Sequence, residues 1–237
     1  MSDSRDMAQA RRAKHGPAHG PVKICGIRDE QAVTAATGHG ADWIGLVFFP
    51  KSPRFVAADS ARLLAERARE AGAKAVGVFV DPDDDLLAHT VAFLDLIQLH
   101  GRESPTRVAA IRARWRRPVI KAIAVAERAD LTRISDYESV ADYLLFDAKA
   151  PPGAPLPGGR GKCFDWRLLQ NLPAALRARS LLSGGLDPHN VSPALALLPG
   201  FGVDVSSGVE DKPGKKDPKR IAAFLAAVRQ AREGRER

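Results

Sequence analysis

Eight short apolar runs, separated by stretches of helical character, constrain the fold of this chain more than any other feature. The runs are rich in Val, Ile, Leu and Phe, and several are nearly continuous, which is typical of parallel strands covered on both faces. Helical periodicity lies between them, for example over 59–71, 104–115 and 217–232. The runs themselves span residues 22–27, 43–49, 75–80, 96–99, 118–125, 143–148, 180–184 and 202–207. Strands that alternate with helices in this way predict parallel βαβ units.

Polar residues and prolines predict where three of the helices begin. Asp59, Ser104 and Asp217 precede or open the helical stretches and are the residue types that cap helix N-termini. Pro105 and Pro218 then fall in the first turn, where a missing N–H costs nothing.

Two architectures satisfy the alternating pattern, a closed eight-stranded barrel and an open doubly wound sheet. Gly26 follows the first run, but Ile27 and Arg28 come next, so the glycine-rich dinucleotide fingerprint is absent. The count of eight runs and the length of 237 residues favour one α/β domain, a (β/α)₈ barrel over residues 21–232.

The two ends of the chain carry most of its net charge of +8. Residues 1–20 are polar and hold four Lys or Arg and two Asp, while residues 215–237 hold eight Lys or Arg and three Asp or Glu. We expect residues 1–20 to be a disordered N-terminal extension and residues 233–237 a flexible basic C-terminus. The body between them is almost neutral, so we predict no nucleic-acid partner, although a basic tail could touch polyanions weakly.

Composition excludes several other classes of protein. The two cysteines, Cys25 and Cys163, are too few for a disulfide scaffold or a four-cysteine zinc site. No window approaches the 18 consecutive apolar residues of a membrane span, and no apolar signal region lies near the start. We therefore expect a cytoplasmic protein that needs no membrane.

Glycines and serines follow the last two predicted strands. A (β/α)₈ barrel places its site at the C-terminal ends of the strands, often with a phosphate bound after strands seven and eight. Backbone N–H groups next to glycine and serine hydroxyls suit an anion, so these two turns predict a phosphate site. Two ordinary glycine-rich turns are the alternative. The residues concerned are Gly184, Gly185, Ser206, Ser207 and Gly208.

Cys25 ends the first predicted strand. Alternation along a strand puts Lys23, Cys25 and Ile27 on one face, with Lys23 below Cys25 if that face is the barrel interior. A nearby ammonium would favour the thiolate, which is the reactive form of the residue. A buried structural cysteine is the alternative.

Three further polar residues end predicted strands. Asp147 closes an apolar run and is either a general acid or a structural group paired with Lys149 two positions on. Asp204 either meets the substrate or holds the phosphate turn from behind. The six histidines show no metal-ligand spacing, so a metal-binding role is not predicted for them. His100 either lines the site or is a solvated or core histidine.

These strand ends occur within a series of motifs that carries a resemblance. In chain order the motifs are VKICGI, GADWIGLVFFPKSPRFV, VGVFVD, LIQLHG, FDAK, GGRGKCFDW, LSGGL and GVDVSSGVEDKPGKKD. They run from residue 22 to about residue 225, and KICG together with VDVSSGVE and PGKKD is the most specific combination. In these motifs the chain resembles the phosphoribosylanthranilate isomerases of tryptophan biosynthesis.

The resemblance implies a (β/α)₈ barrel and an Amadori rearrangement that needs no cofactor and no metal. N-(5-phosphoribosyl)anthranilate would become 1-(2-carboxyphenylamino)-1-deoxyribulose 5-phosphate. In this family the cysteine of KICG is the general base, here Cys25, and the aspartate of the sixth strand is the general acid, here Asp147. The arginine of the SPRFV segment, here Arg54, contacts the anthranilate carboxylate, and the two turns named above bind the phosphate. Acid and base would begin in opposite protonation states, which requires different surroundings.

The sequence departs from the family at two places. The extension before the first strand is not needed by the fold, and the GGRGKCF loop carries Arg160 and Cys163 where Thr-like residues are expected. Gly158, Gly159 and Gly161 make this sixth loop our candidate for closure over the substrate.

Other functions stay open at this point. A related isomerase of histidine biosynthesis, or a dual-substrate barrel, runs the same rearrangement but uses an aspartate base on the first strand, where this chain has Cys25. A non-catalytic, polyanion-binding barrel is a second alternative. The sequence is compatible with a monomer or a homodimer and with weak contact to other tryptophan-pathway enzymes.

Overall fold

Eight parallel strands close into a barrel in the order β1 to β8, which confirms the predicted (β/α)₈ architecture. The computed structural model describes residues 19–150 and 163–234. Within them the barrel strands are Val22–Cys25 (β1), Trp43–Val47 (β2), Lys74–Phe79 (β3), Leu96–Leu99 (β4), Val119–Val125 (β5), Tyr143–Ala148 (β6), Ser180–Leu182 (β7) and Gly202–Val205 (β8). Closure pairs β1 with both β2 and β8, so Lys23 lies opposite Trp43 on one side and Asp204 on the other.

Helices cover the outside of the barrel. They are Glu30–Gly38 (α1), Ala58–Glu70 (α2), Asp84–Thr90 (α3), Pro105–Trp115 (α4), Ile134–Tyr137 (α5), Ala174–Arg177 (α6), Val191–Leu197 (α7) and Pro218–Glu233 (α8). Short 3₁₀ turns span Val91–Phe93, Arg128–Arg133, Trp166–Leu169 and Ser207–Val209. No helix in the described part of the chain is long and apolar enough to cross a membrane.

Two of the three predicted N-caps are confirmed. The Ser104 side chain accepts the N–H of Arg107, and Asp217 accepts the N–H groups at the start of α8. The prediction for Asp59 is wrong, because Ala57 is the N-cap of α2. Asp59 lies instead in the first turn of that helix, where a carboxylate still interacts favourably with the helix dipole.

Strands β1 and β7 end earlier than their apolar runs because a glycine turns the chain after each of them. Gly26 and Gly184 have φ of +78° and +79°, a conformation that other residues adopt only with strain. Alternation predicted that Ile27 shares a face with Lys23 and Cys25. This prediction is wrong, because the chain turns at Gly26. Ile27 packs with Ile24 in the layer between the strands and the helices.

Two layers of side chains form the core. The larger layer lies between the barrel and the helices, and each fully buried aliphatic side chain in it contributes about 1.5–3 kcal/mol. The smaller layer fills the barrel interior and consists of Trp43, Val76, Leu96, Ile120, Ala122, Leu145 and Leu181. Polar side chains replace this apolar plug nearer the C-terminal ends of the strands, where Lys23, Gln98 and Asp204 are buried.

The structure describes only part of each predicted terminal segment. Of the predicted N-terminal extension, His19 and Gly20 are described, and residues 1–18 lie outside the described residues. Gly20 packs on the barrel: its N–H donates to Gly200 O at 3.2 Å and its carbonyl accepts Arg232 Nη2 at 2.6 Å. Helix α8 runs to Glu233, and residues 235–237 lie outside the described range.

A small hairpin after β8 is an element that the apolar pattern did not predict. Its antiparallel strands are Glu210–Lys212 (β9) and Lys215–Lys216 (β10). Gly214 in its turn has φ of +81°, and a Cβ there would lie 2.2 Å from Pro53 O. The hairpin is therefore pressed against the loop between β2 and α2, which carries Arg54.

Candidate active site

The C-terminal ends of the strands bring most of the predicted site residues to one mouth of the barrel. Cys25 comes from β1 and Asp147 from β6, which lie three positions apart around the closed sheet. Both side chains are buried. The glycine turn after β7 and the serine turn after β8 lie on the strands between them.

Cys25 faces the barrel interior beside a glycine. A Cβ on Gly45 of β2 would lie 2.9 Å from Cys25 Sγ and 3.0 Å from Lys23 Nζ. Gly45 therefore provides the space in which the thiol and the ammonium approach each other. Sequence reasoning missed this residue, because a lone glycine inside an apolar run shows no partner.

Lys23 lies within the barrel next to Cys25, as predicted, and forms a buried ion pair. Its Nζ is 2.8 Å from Asp204 Oδ1, and the other carboxylate oxygen of Asp204 accepts the hydroxyl of Ser183 at 3.1 Å. Although burial alone lowers the pKa of Lys23, Asp204 and Cys25 together hold it above its ordinary value. Lys23 is thus a charged group buried within the barrel.

The pKa of the Cys25 thiol lies above its ordinary value, although the Lys23 ammonium alone would lower it. Burial raises the pKa of the Cys25 thiol, and the Lys23 ammonium acts in the opposite direction without overcoming it. Asp204 also raises this pKa, because it places a negative charge nearby. Lys23 thus acts to lower the pKa of Cys25, as predicted, but desolvation raises this pKa by more.

Asp147 contacts a histidine and not the lysine two positions away. Asp147 Oδ2 lies 3.1 Å from His100 Nε2, and Oδ1 accepts the N–H of Ala148 at 2.9 Å. The predicted alternative, a pair with Lys149, is wrong: Lys149 Nζ donates to Asp130 Oδ1 at 2.5 Å. Strand β6 ends at Ala148, and Lys149 turns to the loop after β5.

His100 has a second buried partner that sequence reasoning did not identify. Gln98 Nε2 lies 2.9 Å from His100 Nδ1, so both ring nitrogens contact side chains. Gln98 is fully buried in the barrel interior. The three side chains form a row from Gln98 through His100 to Asp147.

The two predicted phosphate turns need their glycines for different reasons, the first for its backbone conformation and the second for space. Gly184 and Gly185 both have positive φ, and a Cβ on Gly184 would lie 3.1 Å from Asp147 Oδ1. Gly208 lies in the 3₁₀ turn Ser207–Val209, where a Cβ would clash with Leu186 O at 1.9 Å. The Ser206 hydroxyl turns inward and donates to Cys25 O at 3.1 Å.

Arg54 reaches the mouth through a buried ion-pair cluster. Its Nε and Nη2 donate to the two carboxylate oxygens of Glu210, each at 2.7 Å, and Lys216 Nζ lies 2.8 Å from Glu210 Oε1. Burial alone would raise the pKa of Glu210, but Arg54 and Lys216 hold it below its ordinary value. Burial lowers the pKa of Lys216. Sequence reasoning missed Glu210 and Lys216, since they lie in a highly charged segment that is typical of a solvated loop.

The sixth loop is only partly described. Cys163 is exposed, and its Sγ lies 3.4 Å from Gly185 O. Burial of its surroundings and the nearby Asp187 raise the pKa of this thiol. The predicted closing glycines Gly158, Gly159 and Gly161, and Arg160 beside them, lie outside the described residues.

Comparisons of the whole sequence show which known enzymes this chain is similar to. A family model described as N-(5'-phosphoribosyl)anthranilate isomerase matches residues 22–227. A protein of that name from Azorhizobium caulinodans is 52% identical over 212 residues, covering 89% of this chain and 92% of the relative. One from Mesorhizobium japonicum is 49% identical over 216 residues, covering 90% and 97%.

Solved structures show the same similarity. The crystal structure of phosphoribosyl anthranilate isomerase from Thermotoga maritima has a TM-score of 0.75 and 36% identity, covering 89% of this chain and 99% of that one. A crystal structure of such an isomerase in complex with reduced 1-(o-carboxyphenylamino)-1-deoxyribulose 5-phosphate has a TM-score of 0.72 and 34% identity, with coverage of 89% and 99%.

Proposed function

The chain belongs to the N-(5'-phosphoribosyl)anthranilate isomerase family of tryptophan biosynthesis, and from that premise we propose that Cys25 is the general base and Asp147 the general acid of its rearrangement. One observation carries the proposal. The two groups face the same barrel mouth from β1 and β6, and their neighbours differ. Cys25 lies beside the Lys23 ammonium, whereas Asp147 lies beside the His100 imidazole.

Asp147 acts in the first step. Its carboxylic acid gives a proton to the furanose ring oxygen, the bond from that oxygen to C1′ breaks, and the anthranilate nitrogen supplies the electron pair that forms the Schiff base. The contact with His100 and the N–H of Ala148 fix the carboxyl group in one orientation. Gly184 leaves space beside it, since a Cβ there would approach its oxygen.

Cys25 acts in the second step. Its thiolate removes the proton from C2′ of the Schiff base, and the electrons of that C–H bond move to give an enolamine, which tautomerises to the ketone. Lys23 favours the thiolate, and the bound substrate excludes water from the pocket. General acid and base groups of this kind each contribute about 10²–10⁴-fold to the rate.

Both ends of the substrate are held by groups at the mouth. The phosphate binds to backbone N–H groups of the two turns and to the Ser207 hydroxyl, and Arg54 meets the anthranilate carboxylate. Asp204 supports the site from behind through Lys23 and Ser183. The residues proposed for the phosphate are Gly184, Gly185, Ser206, Ser207 and Gly208. Anchoring at two ends orients the ribose between acid and base.

The proposed partner is thus a small phosphorylated molecule, bound by a monomer or a homodimer. The solved relatives include a crystal structure of monomers generated from the dimeric isomerase of Thermotoga maritima, so both states occur around this fold.

A fluorescence assay tests the proposal. Phosphoribosylanthranilate is formed in place from anthranilate and phosphoribosyl pyrophosphate, and its disappearance is followed with wild type, C25S and D147N. We expect rapid loss with wild type and a fall of about 10²–10⁴-fold in each variant. D165N serves as the matched control for D147N, because Asp165 is exposed and stands outside the proposed machinery.

The outcomes separate the parts of the proposal. Activity that survives in folded C25S and D147N refutes the acid and base assignment and keeps the reaction. An unchanged pH profile of kcat in K23M refutes the role of Lys23. If folded wild type does not consume phosphoribosylanthranilate but turns over the histidine-pathway substrate, the proposed substrate is refuted.

A further inference from the structure

Lys216 is a buried lysine that the proposed chemistry does not use. It belongs to β10 of the hairpin, yet only 4% of the residue is exposed. Its neighbour Lys215 is exposed and pairs with Asp211 at the surface. The strand pairing shifts between Lys215 and Lys216, which sends the second side chain inward, towards the end of β8.

The ammonium of Lys216 is held at the barrel mouth by three contacts. Its Nζ lies 2.8 Å from Glu210 Oε1, 2.9 Å from Ser206 O and 3.3 Å from Ser206 Oγ. Glu210 is its cross-strand partner and also accepts both hydrogen bonds from Arg54. A single carboxylate is therefore shared by two cations, and the formal charges of the three side chains sum to +1.

Ser206 connects this cluster to Cys25. The Ser206 hydroxyl accepts from Lys216 Nζ and donates to Cys25 O at 3.1 Å. Three charged groups lie around the thiol: Lys23 on β1, Asp204 on β8 and Lys216 from the hairpin. Since Asp204 pairs with Lys23, that pair contributes little net charge, whereas the hairpin cluster, linked to Cys25 through Ser206, retains a net positive charge. The Lys216 ammonium acts to lower the pKa of Cys25, against the effect of burial.

We propose that Lys216 is a positioning residue that fixes the Arg54–Glu210 pair and stabilises the thiolate of Cys25 with its own charge. The thiolate part rests on the proposed function of Cys25. A buried ammonium is costly to desolvate, and an apolar side chain would fill the same space, so the retention of a charge here points to an electrostatic role.

Alkylation of Cys25 by iodoacetamide tests the electrostatic part without any turnover. Peptide mass spectrometry follows Cys25 and Cys163 separately between pH 6 and pH 10 in wild type, K216M, K216R and K215M. In K216M we expect the Cys25 profile to move to higher pH and the rate at pH 7 to fall by about tenfold or more, as for the loss of one neighbouring opposite charge. Cys163 in the same samples is the internal control.

The charge-keeping variant separates electrostatics from packing. We expect K216R to keep the Cys25 profile close to wild type, and K215M to leave it unchanged. A Cys25 profile that is unchanged in K216M, or that moves equally in K216R and K216M, overturns the proposal. If K216M does not fold by circular dichroism, K216R carries the test alone, because a shifted profile there contradicts a role of charge.

Steady-state kinetics test the Arg54 part. Because Arg54 would meet the substrate carboxylate, loss of its support in K216M and E210Q should raise KM by about tenfold, with K215M as the control. An unchanged KM in both variants overturns this part. The alkylation result is read independently, so an inactive or misassigned Cys25 does not affect it.

Discussion

His100 Nε2 lies 3.1 Å from Asp147 Oδ2, and this contact bridges the ends of β4 and β6 across the intervening strand β5. Space for it exists because β5 carries a small residue there, with Ala124 opposite Asp147 in the pairing register. Gln98 Nε2 lies 2.9 Å from the other ring nitrogen. With Gln98 Nε2 facing Nδ1, the ring proton of His100 belongs on Nε2, on the side of Asp147, because an amide N–H needs a ring nitrogen without a proton as its acceptor.

Replacing His100 by Leu should lower kcat by about 10–100-fold, less than the loss of Asp147 itself. The carboxyl group would keep its chemistry but lose the donor that orients it. KM should change little, because His100 lies outside the proposed phosphate and carboxylate contacts. Steady-state assays of H100L check this, with H89L as the control, since His89 is exposed on α3. An unchanged kcat in folded H100L would contradict the role.

Replacing Gln98 should affect the stability of the protein and its kcat in different ways. The residue is fully buried, and its Oε1 has no hydrogen-bond partner in the described part of the chain. An unsatisfied buried acceptor costs about 1–3 kcal/mol. Gln98→Met has a similar shape and removes the acceptor, so we expect the free energy of unfolding to stay equal or rise by about 1 kcal/mol while kcat falls.

Urea unfolding and kcat, measured on the same Q98M preparation, check the two halves. Loss of stability together with unchanged kcat would show that Gln98 is only a packing residue. A fall in kcat without loss of stability supports positioning of His100, because a purely structural residue would not separate the two quantities.

The sequence predicted the barrel and the positions of Cys25 and Asp147 on its strands better than it predicted the groups around them. Eight apolar runs indicate eight strands, and Cys25 and Asp147 both lie at strand ends. Glu210 and Lys216, by contrast, lie in a charged segment whose burial depends on the hairpin folding back against the Pro53 loop.

Two wrong predictions have one physical cause. The shared face of Cys25 and Ile27, and the alternative in which Asp147 pairs with Lys149, both depend on a spacing of two residues. That spacing aligns side chains only within a strand, and β1 ends at Cys25 and β6 at Ala148. The row from Gln98 through His100 to Asp147 could not be predicted either, because it depends on which side chains meet across β5 after closure.

Gly45→Ala should damage activity more than folding. Its Cβ would lie 2.9 Å from Cys25 Sγ and 3.0 Å from Lys23 Nζ, so one of these groups must move. Overpacking of this kind costs about 1–3 kcal/mol, and a shifted base should lower kcat by about tenfold or more. Gly38→Ala in α1 is the matched control, because its Cβ would meet nothing within 4 Å. Kinetics and thermal unfolding of both variants check the prediction, and equal activity in G45A and G38A would contradict it.

Glu210 should make the protein sensitive to acid. The Arg54 and Lys216 cations hold the pKa of Glu210 below its ordinary value of 4.5, against the effect of burial. A carboxylate with a depressed pKa stabilises the fold fully above pH 4.5, and this stabilisation is lost as the pH falls through the folded-state value. At neutral pH, Glu210→Gln leaves two buried cations without their carboxylate and should cost about 3–5 kcal/mol.

The stability difference between wild type and E210Q should depend on pH. Because protonated Glu210 resembles the glutamine, their free energies of unfolding should converge as the pH falls below 4.5 and stay separated between pH 5 and pH 7. Urea unfolding at pH 7, 5, 4 and 3 measures this, with E30Q, an exposed carboxylate paired with Arg67, as the control that stays close to wild type throughout. A constant gap between wild type and E210Q at every pH would show that the cluster stabilises the hairpin by shape and not by charge.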